Sequence, residues 1–310
     1  MYYGIDIGGT KIELAAFDQG FKLIKQQRIV TPTQDYQAFL NAVKTIVLEF
    51  DNALNCEGAV GIGFPGIRDL SDGTFVCVNI PCVTGKLLDQ DLTHLLKRNV
   101  LIENDCKCFV LSEAVLGSGK GYQHVFGAII GTGAGGGLVT KGHLLTGAHG
   151  IAGEWGHIGI NAYVVDKYKL PVWRCACGLW GCAEQYVSGS GLQNLYRYKL
   201  ESHLKNDARN KSLNGQEIMV LVGKQDALAV EVFEMYVDIL SSSLATIQLS
   251  YDTDAIVLGG GMSNVAALYE KLPGYLAQHM FERAQVPAIL APEFGDASGV
   301  RGAALLHFDL

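Results

Sequence analysis

The apolar positions of this chain change period several times, from the alternation of strands to the three-and-four spacing of helices. Tyr2-Tyr3-Gly4-Ile5-Asp6-Ile7 is mostly apolar and Gly8-Gly9-Thr10 interrupts it. Ile12, Leu14 and Ala16 then alternate, which predicts a hairpin of two strands. Residues 125–139 repeat the plan, with Val125 to Ile130, a glycine-rich turn from Gly131 to Gly137, and Leu138-Val139 returning. Two strand-glycine-strand units about 120 residues apart point to duplicated lobes.

Between them, Tyr36, Phe39, Leu40, Val43, Ile46, Val47 and Phe50 keep the spacing of one helical face and predict an amphipathic helix. Buried strands are expected from Ala59 to Gly63, closing at Pro65-Gly66, and from Val100 to Ile102, closing at Glu103-Asn104-Asp105. Further on, Ala227 to Leu249 reads as a long apolar helix and Ala255 to Leu258 as a buried strand. Gly259-Gly260-Gly261 then turns into a helix from about Asn264. Residues 161–173 and 201–215 are polar or irregular and read as loops. Strands alternating with helices predict an α/β architecture with largely parallel sheets.

At 310 residues the chain exceeds the size at which single cores stop growing, so two lobes with a cleft between them are expected. Glycine supplies 38 residues, well above the usual share of about 7%, and the excess falls at the ends of apolar runs, where backbone must approach something closely. The net charge of -7 and the lack of a Lys/Arg cluster argue against nucleic-acid or anionic-membrane partners and leave small molecules. Neither a signal-peptide pattern nor an apolar stretch of membrane-spanning length is present, so a soluble cytoplasmic chain is expected. Cys56, Cys77, Cys82, Cys106 and Cys108 show no framework spacing and read as small core residues of a reducing compartment.

The densest chemistry lies between Glu154 and Glu184. His157, Cys175, Cys177 and Cys182 make a complete tetrahedral ligand set for zinc, and a set closed by four protein ligands is structural. Gly178 and Gly181 allow the tight turns such ligation needs. Folding this loop round an ion would carry the Glu154 and Glu184 carboxylates into one place, where rigid acceptors suit a polyhydroxyl ligand. Any one of these residues alone reads as a buried thiol or a core histidine.

Gly8-Gly9-Thr10, Gly131 to Gly137 and Gly259 to Gly261 are each able to offer converging backbone N–H groups to phosphate. One such turn alone reads as tight packing of strand against helix. Three, two of them on duplicated hairpins, point to a triphosphate held between lobes. Asp6 adds a carboxylate buried in the first strand, expensive unless it meets a cation, and magnesium bound through waters and phosphates is the natural occupant. Thr10 and Lys11 face the same phosphates in this reading, while Lys11 also reads as a solvated strand end. Asp105 follows a buried strand at its carboxyl end, where open α/β sheets place ligands, with Asn104 beside it. The competing reading makes Asp105 the cap of the next helix.

Taken together, Asp6-Ile7-Gly8-Gly9-Thr10-Lys11, Asn104-Asp105, Gly131 to Gly137, Glu154-Trp155-Gly156-His157 and Cys175 to Glu184 resemble the sugar kinases of the ROK group, within the actin-like ATPase fold, and the likeness runs from residue 1 to 310. Among them the chain is most similar to members acting on N-acetyl-D-glucosamine, in Met1 to Gly4, Thr31 to Phe39, Asp72 to Pro81, Gly85-Lys86, Gly259 to Asn264 and Gly295 to Ala304. The resemblance implies two lobes, residues 1–117 and 118–296, with a terminal helix from Ala297 returning to the first. It implies ATP-dependent phosphorylation of N-acetyl-D-glucosamine at the 6-hydroxyl, with ATP and magnesium as cofactors and a structural zinc on the four ligands above. Asp105 is then the catalytic base and a sugar contact, with Asn104, Glu154, His157 and Glu184. Gly66 is expected beside the sugar, and Asn79, an amide between Val78 and Ile80, reads either as lining for the acetamide recess or as a brace of the loop before Pro81. The nucleotide contacts are Gly4, Ile5, Asp6, Ile7, Gly8, Gly9, Thr10 and Lys11, then Gly131, Thr132, Gly133, Ala134, Gly135, Gly136, Gly137 and Leu138, and Gly259, Gly260 and Gly261. A homodimer is the common assembly of the group. Ala176 departs from the glycine usual between the first two cysteines. Glucose, mannose or N-acetylmannosamine are the alternative substrates, and a non-catalytic sugar-sensing regulator is the alternative class. With the first strand beginning at residue 2, such a regulator's DNA-binding domain is not expected ahead of it.

Overall fold

The computed structural model describes residues 1–203 and 213–308 and divides into two compact units. The first comprises Met1–Gln123, Gly137–Gly153 and Glu293–Leu310, the second His124–Gly136 and Glu154–Pro292. In chain order the elements are β1 (Tyr2–Ile7), β2 (Lys11–Phe17), β3 (Leu23–Val30), α1 (Tyr36–Leu54), β4 (Ala59–Phe64), β5 (Ile67–Arg68), β6 (Phe75–Val76), α2 (Leu88–Leu96), β7 (Val100–Asn104) and α3 (Asp105–Val115). Then come β8 (His124–Ile130), β9 (Ala134–Thr140), β10 (His143–Leu144), α4 (Ala162–Tyr168), α5 (Glu184–Val187), α6 (Gly189–His203), α7 (Gly215–Gly223) and α8 (Ala227–Tyr251). Last are β11 (Ala255–Gly259), α9 (Ala266–Gln278), β12 (Ala288–Leu290) and α10 (Ser298–Leu305).

Two five-stranded sheets share one plan, β3-β2-β1-β4-β7 and β10-β9-β8-β11-β12. They are mixed, which corrects the expectation of largely parallel sheets. β1, β2 and β3 pair antiparallel, whereas β4 is parallel to both β1 and β7. In the other sheet β10 is antiparallel to β9, and β11 is parallel to β8 and β12. The short turns after β1 and β2 permit only antiparallel neighbours, while the parallel pairs are joined by longer crossovers.

Helix α1 forms where the apolar period runs. Asp35 caps it, its Oδ1 accepting from Ala38 N at 3.0 Å, and Asn55 ends it at a φ of 49°. Phe39, Leu40, Val43, Ile46, Val47 and Phe50 are its buried face, packed with Ile5, Leu14 and Ile62 of the sheet. On the opposite side α10 lies against β1, β4 and α3 at backbone distance. A Cβ on Gly4 would stand 1.8 Å from Val300 O, one on Gly61 1.8 Å from Ala303 O, and one on Gly302 1.7 Å from Cys108 O. Only glycine fits these three positions. The buried Glu113 carboxylate fastens the approach to α10, accepting from Glu293 N at 2.9 Å, Phe294 N at 3.0 Å and Ser298 Oγ at 2.6 Å.

In the second unit α8 is buried along most of its 25 residues. Its Asp238, 1% exposed, receives Lys167 Nζ at 2.7 Å and Tyr168 OH at 2.6 Å, and lies 2.7 Å from His279 Nε2. This cluster explains a second correction: residues 161–173, expected as a loop, contain α4. Asn161 Oδ1 caps α4 by accepting from Tyr163 N at 2.8 Å, and Val164 and the Asp238 contacts hold it to α8. The other expected loop, 201–215, lies largely outside the described residues, and its described ends are the last turn of α6 and the start of α7. Among the described residues no helix is long and apolar enough to cross a membrane.

Candidate functional site

In the first unit, Asp6 lies close enough to Asp105 to feel its carboxylate. Asp6 ends the apolar part of β1, with its carboxylate packed between Gly63 and Gly299: a Cβ on Gly299 would lie 3.3 Å from Asp6 Cγ. Removal from water pushes its pKa up to about 6, with Asp105 and Glu13 adding to the shift and Lys11 opposing it. Asp105 is the first residue of α3. Burial raises its pKa too, against a hydrogen bond that Oδ1 accepts from Cys106 N at 2.9 Å. The helix cap is Asn104, whose Oδ1 also accepts from Cys106 N, at 3.0 Å, so capping does not consume Asp105. Behind them Lys107, 2% exposed, donates to Glu103 Oε1 at 3.2 Å and to Gly150 O at 2.7 Å.

The first glycine turn is closed by Gly8 N donating to Lys11 O at 2.9 Å and by Thr31 Oγ1 donating to Gly8 O at 2.7 Å. Gly9 lies against Asn79, since a Cβ there would meet Asn79 O at 3.1 Å. Asn79 is thus brought beside the turn. Gly66 is wedged between Phe64 and Val76, with room for no Cβ. Thr10 is exposed and Lys11 leans on Glu13 at 3.6 Å. Gly4, Ile5 and Ile7 do not join this group. Alternation along β1 turns Ile5 and Ile7 to the opposite face, into the core, and Gly4, on the face of Asp6, is covered by α10.

The second unit holds a cavity of about 730 Å³. Gly131, Thr132 and Gly261 line it, together with Ser190, Gln193, Asn214, Gln216, Met219, Met262 and Asn264, none of which was expected from sequence to be a site residue. A signal did exist at Asn214, which opens α7 with a capping box to Glu217 visible as Asn-x-x-Glu. Gly260 adopts a φ of 74° and its Cα faces Ile130 O, where a Cβ would be 2.6 Å away. Gly136, Gly137 and Leu138 are buried in packing rather than at the cavity, Gly136 against Gly127 and Trp155, Gly137 against Val110 and Lys107. Gly259 is the buried end of β11.

The four proposed ligand atoms of His157, Cys175, Cys177 and Cys182 lie within 4.8 Å of one another. Cys177 Sγ and Cys182 Sγ are 3.6 Å apart, close to the ~3.8 Å edge that two thiolates ~2.3 Å from a tetrahedral zinc would span. His157 turns Nδ1 towards Cys175 Sγ at 3.8 Å and Nε2 towards Glu154 Oε2 at 3.8 Å, the outward carboxylate partner that ligating histidines usually have. In the protein alone, burial and the neighbouring thiols push Cys182 up to about 12, and burial raises Cys175, while the Leu179 N–H lowers Cys177. A cation is what would allow all three to ionise together, so the donor set fits zinc. Glu184 sits beside the cluster, Oε1 3.8 Å from Cys175 Sγ, and its Oε2 accepts from Ala134 N at 2.9 Å.

The ROK family model matches residues 2–309, and the chain belongs to the ROK family. It is 45% identical over 310 residues to the N-acetylgalactosamine kinase AgaK of Shewanella sp., covering 100% of this chain and 97% of that one. It is 42% identical over 309 residues to the N-acetyl-D-glucosamine kinase of Photobacterium profundum, covering 99% of each. Among solved structures it resembles a ROK hexokinase from Thermus thermophilus, with a TM-score of 0.85 and 28% identity over 98% of this chain and 96% of that one. A ROK family glucokinase from Streptomyces griseus, solved with glucose and AMPPNP, gives a TM-score of 0.76 and 26% identity over 98% of each chain.

Proposed function

We propose that this protein is an ATP-dependent N-acetylhexosamine kinase of two-lobed, actin-like fold, transferring the γ-phosphoryl group of ATP to the 6-hydroxyl of N-acetyl-D-glucosamine to give N-acetylglucosamine 6-phosphate. The observation that carries it is Asp105: a carboxylate at a strand end, beside a helix capped by Asn104, with its proton affinity raised by burial. Such a group suits the general base that takes the hydroxyl proton as the phosphorus–oxygen bond forms. Asn104 and Asn79 in the first unit, and Glu154, His157 and Glu184 in the second, are assigned to the sugar hydroxyls and acetamide. Asp6 would hold magnesium through its waters, and the cavity beside Gly131, Thr132 and Gly261 would take the nucleoside. The His157, Cys175, Cys177 and Cys182 set would hold a structural zinc that orders the loop between Glu154 and Glu184. ATP as phosphoryl donor fits a cytoplasmic enzyme. The family resemblance supports a homodimer, for which light scattering should give twice the 33.4 kDa chain mass.

The 45% relative, named for N-acetylgalactosamine, favours a second reading in which the 4-epimer is the preferred sugar. A coupled ADP-release assay across N-acetylglucosamine, N-acetylgalactosamine, N-acetylmannosamine, glucose and mannose decides between them. The proposal expects an N-acetylhexosamine to exceed glucose by roughly tenfold or more in kcat/KM, since an unpaired polar group in a built pocket costs about 1 to 3 kcal/mol. Equal or better use of glucose would overturn the acetamide assignment.

A further inference from the structure

The glycine run from Gly131 to Gly136 is held in place by the segments that carry the His/Cys cluster. Trp155 Nε1, two residues before His157, donates to Gly135 O at 2.6 Å. Gly156 packs so tightly that a Cβ on it would stand 2.1 Å from Ala134 O. Glu184, two residues after Cys182, accepts from Ala134 N through Oε2, and that oxygen fills the space a Cβ on Gly133 would need, 2.5 Å away. Its other oxygen faces Cys175 Sγ at 3.8 Å. One carboxylate therefore touches a ligand position with one oxygen and the glycine turn with the other.

We propose that Glu184 is a positioning residue for the nucleotide: it fixes the Gly131–Ala134 turn against the metal-binding segment, so the His/Cys cluster sets nucleotide affinity as well as sugar affinity. The inference rests on reading this turn as the phosphate turn. A glycine-rich turn has more conformational freedom to lose than any other, so its ordering cost falls on nucleotide binding unless another part of the fold bears it beforehand. Ala134 N–H, occupied by Glu184, is not available to a phosphate. It serves to pin the turn. Releasing the segment 175–184 would release Oε2, and the pin with it.

The test is calorimetric binding of Mg-AMPPNP without sugar, which is independent of turnover. Glu184→Ala should weaken binding about tenfold, the consequence of losing one buried hydrogen bond and the order it imposes. Glu184→Gln keeps a carbonyl oxygen for Ala134 N and should stay within about threefold of wild type. Stripping the metal from wild type with a chelator should weaken AMPPNP to a similar degree, and should add little to Glu184→Ala, because the two act through one link. Gly133→Ala leaves every ligand in place but pushes its Cβ onto Oε2. It should weaken AMPPNP, and adding Glu184→Ala to it should cost nothing more. AMPPNP affinity within twofold of wild type in both Glu184→Ala and Gly133→Ala would overturn the proposal and leave Glu184 a sugar contact only. So would a chelated wild type with unchanged affinity. Failure of the kinase reading itself looks different: wild-type protein that binds no AMPPNP, or phosphorylates no N-acetylhexosamine.

Discussion

The two sheets have the same strand order, yet their leading strands carry opposite chemistry. Two residues before its first turn glycine, β1 places Asp6, and at the same offset β8 places Ile129; both are half-buried. The first unit stores carboxylates, Asp6 with Asp105, and accepts raised pKa values as the consequence. The second offers backbone, amides and thiols: the Gly131–Ala134 turn, Gln193 and Asn214, and the His/Cys cluster. A shared topology thus serves two tasks. The unit with the paired carboxylates is suited to proton transfer, and the other to shape, with its His/Cys cluster suited to a structural cation.

The largest effect should come from removing the proton acceptor in the first unit. Asp105→Asn keeps shape and hydrogen bonding but cannot take a proton, and kcat should fall about 10²- to 10⁴-fold with the circular dichroism spectrum and Tm nearly unchanged. Retention of more than about a tenth of wild-type kcat would remove Asp105 from catalysis. In wild type, kcat/KM should climb with pH through a limb above the ordinary carboxylate value of about 4, since burial raises the Asp105 pKa and the ionised form is the base.

Disturbing the second unit should instead act on binding and stability. Cys177→Ser or chelation should release one metal per chain, measurable by plasma emission, and lower sugar affinity at least tenfold together with Tm. Active protein that contains no metal would break this half of the comparison.

A smaller effect separates Asp6 from Ile129. Because the folded pKa of Asp6, about 6, lies above its unfolded value near 3.8, the folded state holds the extra proton. Stability from this group is therefore complete below about pH 4 and is lost as pH rises through about 6, to the extent of about 1 to 3 kcal/mol in ligand-free protein. Asp6→Asn should raise the ligand-free Tm at pH 7.5 and weaken Mg-nucleotide binding at once. A variant less stable than wild type at that pH would contradict the burial argument. Smallest is Asn79→Ala, which should cut the preference for N-acetylated sugars over glucose several-fold; an unchanged ratio would leave Asn79 only bracing the turn at Gly9.

What could be read from sequence was local in nature. The period of α1, the glycine turns and the spacing of Cys175, Cys177 and Cys182 are properties of neighbouring residues, and each reappears in the fold. What escaped depends on partners far along the chain. Helix α4 is short and weak alone, and is held by Asp238, 71 residues from Lys167. The cavity residues Ser190, Asn214 and Met262 come from three separate segments and share no motif. Gly4 looks like part of the phosphate run, and only the approach of Val300, far along the chain, makes it a packing glycine.

That last contact bears on how the protein is made. The first unit's sheet has α1 on one face from early in synthesis, but the other face of β1 and β4 waits for α10, which leaves the ribosome after every other element described here. The second unit, from Glu154 to Pro292 with β8, can close first. The earliest-made strands are therefore the last to be covered. Until residues 298–305 arrive, Ile5 and Ile62 already pack under α1 while the face that carries Gly4 and Gly61 stays open to chaperones and to self-association, so a polypeptide stalled or clipped before Ser298 should be recovered as aggregate rather than as a weakened enzyme.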